Sequence, residues 1–364
     1  METPTLPPAD LSFPQPVTPQ AHGFSFAGSG NEYFRIWITN LLLSIVTLGI
    51  YSAWAKVRRE QYFHRNTLLD RSGFDYHGQP WAILKGRFIA WTLVLLLAVV
   101  NNTVPQLYLV ALLVLSPLLP WLIVRSFIFR ARNTSYRGLR FDFDGTYKEA
   151  AKIILGWGLL AMLTFGLTFP ILMQRFKAFQ LNHLSYGGER FRMRADIGSF
   201  YLVFLLASLV VIVPLMVMGV LILIAVIVAG IGGDFKETAS GILIGIAVGM
   251  VVLAYLASLL IVQPFLQVRL ANLVWNNTHC GPHAFASQQR MRSLFPIFLA
   301  NWLLILLTLG LYWPWAQVKL AKYRAEHTAL VASGSLDDFV GQAVQNEKAI
   351  GEEIADAFDF DIAL

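Results

Sequence analysis

Hydrophobic positions run unbroken, or nearly so, by charge over about 34–54, 88–104, 106–124, 153–173, 199–231, 240–263 and 294–315, and between these runs Lys and Arg cluster with aromatic residues. Most runs reach the roughly 20 residues that a helix needs to cross a ~30 Å hydrocarbon layer, so the pattern predicts a polytopic membrane protein. The run 199–231 exceeds one upright span; it tilts, extends past the bilayer or breaks near Pro214. Period-two segments lie beside the helices: "FSFAG" from Phe24, "FDYHG" from Phe74, "FDFDG" from Phe141 and "FRMRA" from Phe191. As strands they set Phe24 with Phe26, Phe74 with Tyr76 and Phe141 with Phe143 on one face. Open strand edges are excluded from lipid, which places these segments at the water boundary, paired as short β-hairpins.

One phrase recurs. "TLGIYSAWAKVR" (47–58), "TFGLTFPILMQR" (164–175) and "TLGLYWPWAQVK" (308–319) each put Thr-x-Gly between an apolar helix and a basic, aromatic one. A shift of 117 superposes Phe24, Phe26, Gly28, Thr47, Gly49, Arg58 and Phe74 on Phe141, Phe143, Gly145, Thr164, Gly166, Arg175 and Phe191; a further shift of 144 reaches Phe285, Thr308, Gly310, Pro314 and Lys319. Asn40 and Asn301 share a column, where the middle copy has Trp157; Tyr62, Phe179 and Tyr323 share another. The expected fold is therefore mainly α, with three internal repeats (about 24–78, 141–195 and 285–341) separated by plain transmembrane pairs (about 88–124 and 199–263).

Charge decides between two topologies. If every run crossed, the chain would have seven full spans with an inverted middle repeat, a familiar transporter plan. That plan strands one basic cluster of each unit outside: Lys148 and Lys152 precede the middle copy while Arg175, Lys177, Arg190, Arg192 and Arg194 follow it. If each unit instead dips into the bilayer and turns back at Thr-x-Gly, four true crossings remain and both termini are cytoplasmic. Of 28 Lys and Arg residues, Lys236 alone then faces outward. This re-entrant arrangement is the expected one; glycine permits the turn, and Pro170 or Pro314 removes a donor just past it.

Composition agrees with a membrane protein: 56% hydrophobic and 14% charged. The net charge of +6 conceals an acidic tail, because Asp337–Leu364 holds eight carboxylates and one lysine. Val340, Val344, Ile350, Ile354 and Phe358 fall near helical spacing there, which suggests an amphipathic segment for a protein partner or for the chain's own basic face. The Pro-rich residues 1–22 read as a disordered tail, leaving 23–336 as one membrane domain and 337–364 as a cytoplasmic tail. In "HCGPH", His279, Cys280 and His283 fall short of a closed metal site, and the lone Cys280 excludes an intrachain disulfide. No metal or cofactor is expected, and no nucleic-acid partner.

The central parts of the four expected crossings lack Asp and Glu, so a proton-driven pump has little support. Candidate polar lining at the breaks is Asn40, Thr47, Gly49, Thr164, Gly166, Asn301, Thr308 and Gly310, which line a path or satisfy freed backbone. Trp54, Trp313 and Trp315 sit where interfacial anchors belong, and Lys56, Arg58, Arg59, Arg175, Lys319 and Lys322 suit anionic headgroups of the inner leaflet. No nucleophile with a positioned base is visible, and an enzyme is not expected.

"TLGIYSAWAKVRREQYFHRNTLL", "FDYHG" and "TLGLYWPWAQVKLAKYR" together resemble the YjgN family of bacterial inner-membrane proteins (domain of unknown function 898), from about Phe24 to Gly341. The resemblance implies a multi-pass bacterial inner-membrane protein and supplies no catalytic residues; the middle copy departs from the phrase at Phe165, Thr168, Phe169 and Ile171. The leading functional expectation is a transport or channel-like path for a small solute or ion. A lipid-interacting, envelope-organising scaffold is the alternative, and a membrane enzyme acting on lipids is a third.

Overall fold

The computed structural model describes residues 20–231, 237–334 and 340–341. Residues 1–19 of the expected N-terminal tail, Lys236 and nearly all of the acidic tail lie outside them, whereas Gln20–His22, expected to belong to that disordered tail, are a strand held by antiparallel pairing with Leu330–Ala332.

Among the described residues ten short strands close into one barrel, and here the structure corrects the expectation of separate β-hairpins. The strands are β1 (Gln20–Phe26), β2 (Thr67–Leu69), β3 (Ser72–Tyr76), β4 (Thr134–Tyr136), β5 (Leu139–Phe143), β6 (Leu184–Tyr186), β7 (Glu189–Met193), β8 (Thr278–Cys280), β9 (His283–Ser287) and β10 (Thr328–Ala332). Every neighbouring pair is antiparallel, and β10 closes on β1. Two-residue turns join β2 to β3, β4 to β5, β6 to β7 and β8 to β9 at one end. Asp70 and Arg71 (φ 46° and 61°), Arg137 and Gly138 (48° and 85°), and Gly187 and Gly188 (60° and 85°) have the positive φ pairs that tight hairpins require.

At the other end each remaining connection is a pair of helices that leaves the barrel and returns to it. The first is α1 (Gly30–Val46) with α2 (Ser52–Asn66). The second is α3 (Pro80–Thr103) with α4 (Tyr108–Leu115) and α5 (Leu118–Arg132). The third is α6 (Tyr147–Ala151), a π-helical segment (Lys152–Trp157) and α7 (Gly158–Leu163) with α8 (Phe169–Asn182). The fourth is α9 (Ile197–Ile231) with α10 (Glu237–Asn276), and the fifth is α11 (Met291–Leu307) with α12 (Trp313–Glu326). The chain is thus one strand–helix pair–strand unit used five times, with three short pairs alternating with two long ones. The segments read from sequence as three repeats contain the first, third and fifth of these helix pairs, and those read as transmembrane pairs fall within the second and fourth. Pro214 lies inside a continuous α9 and does not break it.

The barrel has a packed interior. Phe24, Phe74, Phe141, Phe191 and Phe285, one from each odd-numbered strand, line up with centroid separations of 6.4, 6.5, 6.3 and 5.8 Å. Directly opposite them in register stand Leu69, Tyr136, Tyr186, Cys280 and Leu330. These ten residues are members of a single apolar cluster, against which Val340 also packs. The Tyr136 hydroxyl donates to the Leu69 carbonyl at 2.8 Å and the Tyr186 hydroxyl to the Tyr136 carbonyl at 2.9 Å, so neither buried phenol lacks an acceptor.

The Phe-x-Phe-x-Gly spacing has a local cause. At Gly145 an added Cβ would lie 2.4 Å from the Phe143 ring and 2.7 Å from that of Phe179. The glycine lets the strand turn into its helix directly over an aromatic ring.

Candidate functional site

At each Thr-x-Gly phrase the chain leaves one helix through a residue in the left-handed region and enters the next. Leu48, Phe165 and Leu309 have φ of 49°, 52° and 49°, followed by Gly49, Gly166 and Gly310 at 89°, 87° and 93°. The glycine amides reach back to the carbonyls of Ser44, Ala161 and Ile305, each at 2.7 Å, which satisfies helix ends that would otherwise carry orphan acceptors. The threonines finish the turn. The hydroxyls of Thr47, Thr164 and Thr308 donate to the carbonyls of Leu43, Leu160 and Leu304 at 2.7, 2.7 and 2.6 Å. They also accept the amides of Tyr51, Thr168 and Tyr312 at 3.0, 3.2 and 3.0 Å. Each hydroxyl is therefore committed to its own backbone. The tip residues Leu48, Phe165 and Leu309 are 91%, 99% and 93% exposed.

Asn40 and Asn301 differ from the threonines. They are 6% and 8% exposed, and neither side-chain carbonyl oxygen has a hydrogen-bond partner among the described residues. A buried amide oxygen left unpaired costs about 1–3 kcal/mol, so these two positions call for a reason.

The expected lipid-contact residues are spread over several clefts. Trp54 packs edge-on against Trp81 at 5.1 Å, and Arg58 lies 5.7 Å from the centre of the Tyr51 ring. Lys56, on the same helix as these two, is exposed. Trp315 stacks on Phe34 at 4.6 Å and donates to the Asn31 amide oxygen at 2.9 Å. Lys319 donates to the Tyr312 hydroxyl at 2.6 Å, and Lys322 lies 4.0 Å from Glu326. Arg175 faces a separate cleft with Lys152, Glu149 and His183. There the His183 ring lies 2.8 Å from Asp144 through Nδ1 and 2.8 Å from Glu149 through Nε2. That cleft's lining contains no serine, threonine or cysteine to act as a nucleophile.

Arg59 and Trp313 meet in a cleft of about 520 Å³ where α2, α10, α11 and α12 face one another. Asn301 lines it, as do Trp302 and Arg324, which the sequence reading did not place in any site. The Arg324 guanidinium donates to Gln267 at 3.0 Å, and no carboxylate lies within 4 Å of Arg59 or Arg324 among the described residues. Arg324 carried a signal, since it ends the basic helix of the third phrase. Gln263 and Trp302, inside apolar runs, did not.

The "HCGPH" loop forms the turn between β8 and β9. Cys280 pairs with His283 and His279 with Ala284, so His279 points to the opposite face from the other two. Among the described residues no three His, Cys, Asp or Glu side chains could hold a metal ion. Burial within the barrel pushes the Cys280 thiol up to about 12, with Glu189 adding to the shift; burial also holds His283 below the usual imidazole range.

The described helices include three, Pro80–Thr103, Ile197–Ile224 and Gly245–Asn276, long and apolar enough to cross a membrane; the pair Pro105–Leu115 and Leu118–Arg132, bent by 42°, makes a fourth if it counts as one span. These apolar helices mark the class as a membrane protein, with its helix pairs all joined to one small filled barrel. The chain belongs to the family described as "Bacterial protein of unknown function (DUF898)", which it matches over residues 21–357. It is 25% identical over 361 residues to the inner membrane protein YjgN of Salmonella typhimurium (strain LT2), covering 87% of this chain and 89% of the relative. Shorter matches are to the proteins of the same name from Escherichia coli O157:H7, 30% identical over 42% of this chain and 38% of that one, and Escherichia coli K12, 31% identical over 35% and 32%. No solved structure matches the chain.

Proposed function

We propose that this inner-membrane protein is a lipid-engaging scaffold, which anchors one barrel on the cytoplasmic face through two long helix pairs and three short ones that enter a single leaflet. The observation that carries this reading is the polarity of the short pairs. Each leaves the barrel through a basic, aromatic half and ends in a tip whose Leu48, Phe165 or Leu309 is almost wholly exposed. In water such tips would be a liability; in hydrocarbon they are solvated. Because all five pairs start and finish at one end of one barrel, that geometry favours re-entrant short pairs over seven full spans, with both termini cytoplasmic.

The transport reading draws less support. Its threonine oxygens are occupied by backbone, and the barrel is closed by a layer of Phe, Tyr and Leu. The deciding experiment reconstitutes the full chain in bilayers of phosphatidylcholine with an increasing fraction of phosphatidylglycerol and follows thermal unfolding. Stability should rise with the anionic fraction and lose that dependence at high salt. A melting curve indifferent to lipid charge, together with solute flux above that of protein-free vesicles, would return the argument to a conduction path.

A further inference from the structure

The cleft between α2, α10, α11 and α12 has the polarity of an amphiphile along its length. We infer that it binds one anionic phospholipid, with the phosphate between Arg59 and Arg324 and an acyl chain running along Trp302 and Ile305 toward the tip of the fifth helix pair. This deepens the lipid-engaging reading above and rests on it.

The helix α12 sets the axis. Trp313 stands at its tip end and Arg324 near the barrel, eleven residues on, which at 1.5 Å per residue is about 16 Å. Across from it, α11 carries Ile305 and Trp302 near the tip and Phe298 nearer the barrel. Polar groups converge on the other half: Arg59 from α2 and Arg324 from α12, without a carboxylate within 4 Å among the described residues. Arg324 is held by Gln267 through one guanidinium hydrogen bond, and its other N–H groups have no partner among the described residues and can meet phosphate oxygens.

Asn301 gains a role. Its side chain lines the cleft while its carbonyl oxygen is buried without a hydrogen-bond partner among the described residues, and rotating the amide toward the cleft would offer that oxygen to a glycerol hydroxyl of phosphatidylglycerol. Trp302 and Trp313 keep 46% and 47% exposure on the apolar half, which leaves rings free to pack on methylene chains. A soluble anion would use the arginines and leave this half empty.

The test uses the delipidated full chain in a neutral detergent, titrated with short-chain phosphatidylglycerol, short-chain phosphatidylcholine and inorganic phosphate. The expected result is preferential binding of phosphatidylglycerol that phosphate fails to displace. Each cation beside an anionic headgroup contributes roughly fivefold in affinity, so Arg59→Gln with Arg324→Gln should weaken binding about 30-fold. Arg59→Lys with Arg324→Lys keeps the charge and controls for folding; it should bind within a few-fold of the unaltered chain. Ile305→Trp fills the apolar half and should block the lipid while sparing the fold. If the Gln pair binds phosphatidylglycerol as tightly as the unaltered chain, this cleft is not the site, although the scaffold reading stands. If phosphate binds as tightly as the lipid, the occupant is a soluble anion and the inference falls. Equal binding of both lipids by the unaltered chain would overturn the inference and the scaffold reading together.

Discussion

Phe165 offers a substitution whose sign depends on where the short helix pairs lie. It sits at the tip of the third pair, 99% exposed, with φ of 52°. An L-residue with a bulky side chain pays roughly 1–2 kcal/mol for that conformation, and Asp or Asn pays less. In water, Phe165→Asp should therefore be neutral or stabilising by up to ~1 kcal/mol. In hydrocarbon the balance reverses. On an insertion scale Phe contributes about −0.3 to −0.6 kcal/mol and Asp costs about +2.5 to +3.5 at the membrane centre, a swing of roughly 3–4 kcal/mol. Relief of the backbone offsets about 1 kcal/mol of it, so the bilayer-embedded protein should lose ~2 kcal/mol. The assay is denaturant unfolding of the same variant in lipid bilayers, compared with Leu48→Asp and Leu309→Asp. All three should destabilise, because the three turns share one geometry. Neutral or stabilising outcomes in the bilayer would place the tips in water and remove the main support for a re-entrant topology.

Removing one ring from the barrel should be costly: Phe141→Ala deletes packing on Phe74, Tyr186 and Phe191, at centroid separations of 6.5, 4.8 and 6.3 Å, and should lower stability by about 3–5 kcal/mol in equilibrium unfolding. Gly310→Ala places a Cβ in open space but keeps φ near 93°, so its cost is purely conformational, about 1–2 kcal/mol, and an unchanged melting temperature would show that the turn relaxes. Thr308→Val leaves the Tyr312 amide without its side-chain acceptor and should cost about 1–3 kcal/mol, whereas Thr308→Ser should nearly restore stability. Cys280, with its thiol raised to about 12, should resist maleimide at pH 7–8 in the folded protein and react on unfolding. Because the folded value lies above the unfolded one, any stability that the neutral thiol contributes is complete below about pH 9 and is lost as pH rises toward 12.

Legibility in the sequence followed the range of each interaction. Helix pairs, strands and the Thr-x-Gly turns are local, and their residues announce them: a glycine where φ is near 90°, and a hydroxyl four residues before the amide it accepts. Barrel closure is not local. The three residues of β2, β4, β6 and β8 are too short for a period-two signal, and they become strands through neighbours that lie a whole helix pair away. A weaker sign was present: Asn66-Thr67, Asn133-Thr134 and Asn277-Thr278 each lead from a helix into an even-numbered strand, and the second and third of these pairs stand outside the three repeats that the Thr-x-Gly phrase marks. Following that dipeptide would have extended three repeats to five. The cleft was harder still, because Arg59, Asn301 and Arg324 come from different helices and only the ring closure that sets α12 beside α1 brings the first unit next to the last.

The closed ring also explains why the middle copy departs from the phrase without loss of the turn. At the first and fifth breaks a tyrosine amide, Tyr51 or Tyr312, is capped by the threonine hydroxyl; at the third the same role falls to Thr168, whose own hydroxyl lies 3.0 Å from that of Thr164. What the turn demands is an amide at that position, which every residue but proline supplies. The tyrosine side chain is free to be selected for something else. Lys319 donates to Tyr312, and Arg58 lies near the Tyr51 ring, so both outer units hold a cation against an aromatic beside the tip that the third unit lacks. Turn geometry is thus common to the three short pairs, while among the described residues a cation held against the tyrosine of the break belongs to the first and fifth, the two units that ring closure makes neighbours and between which Arg59 and Arg324 face the same cleft.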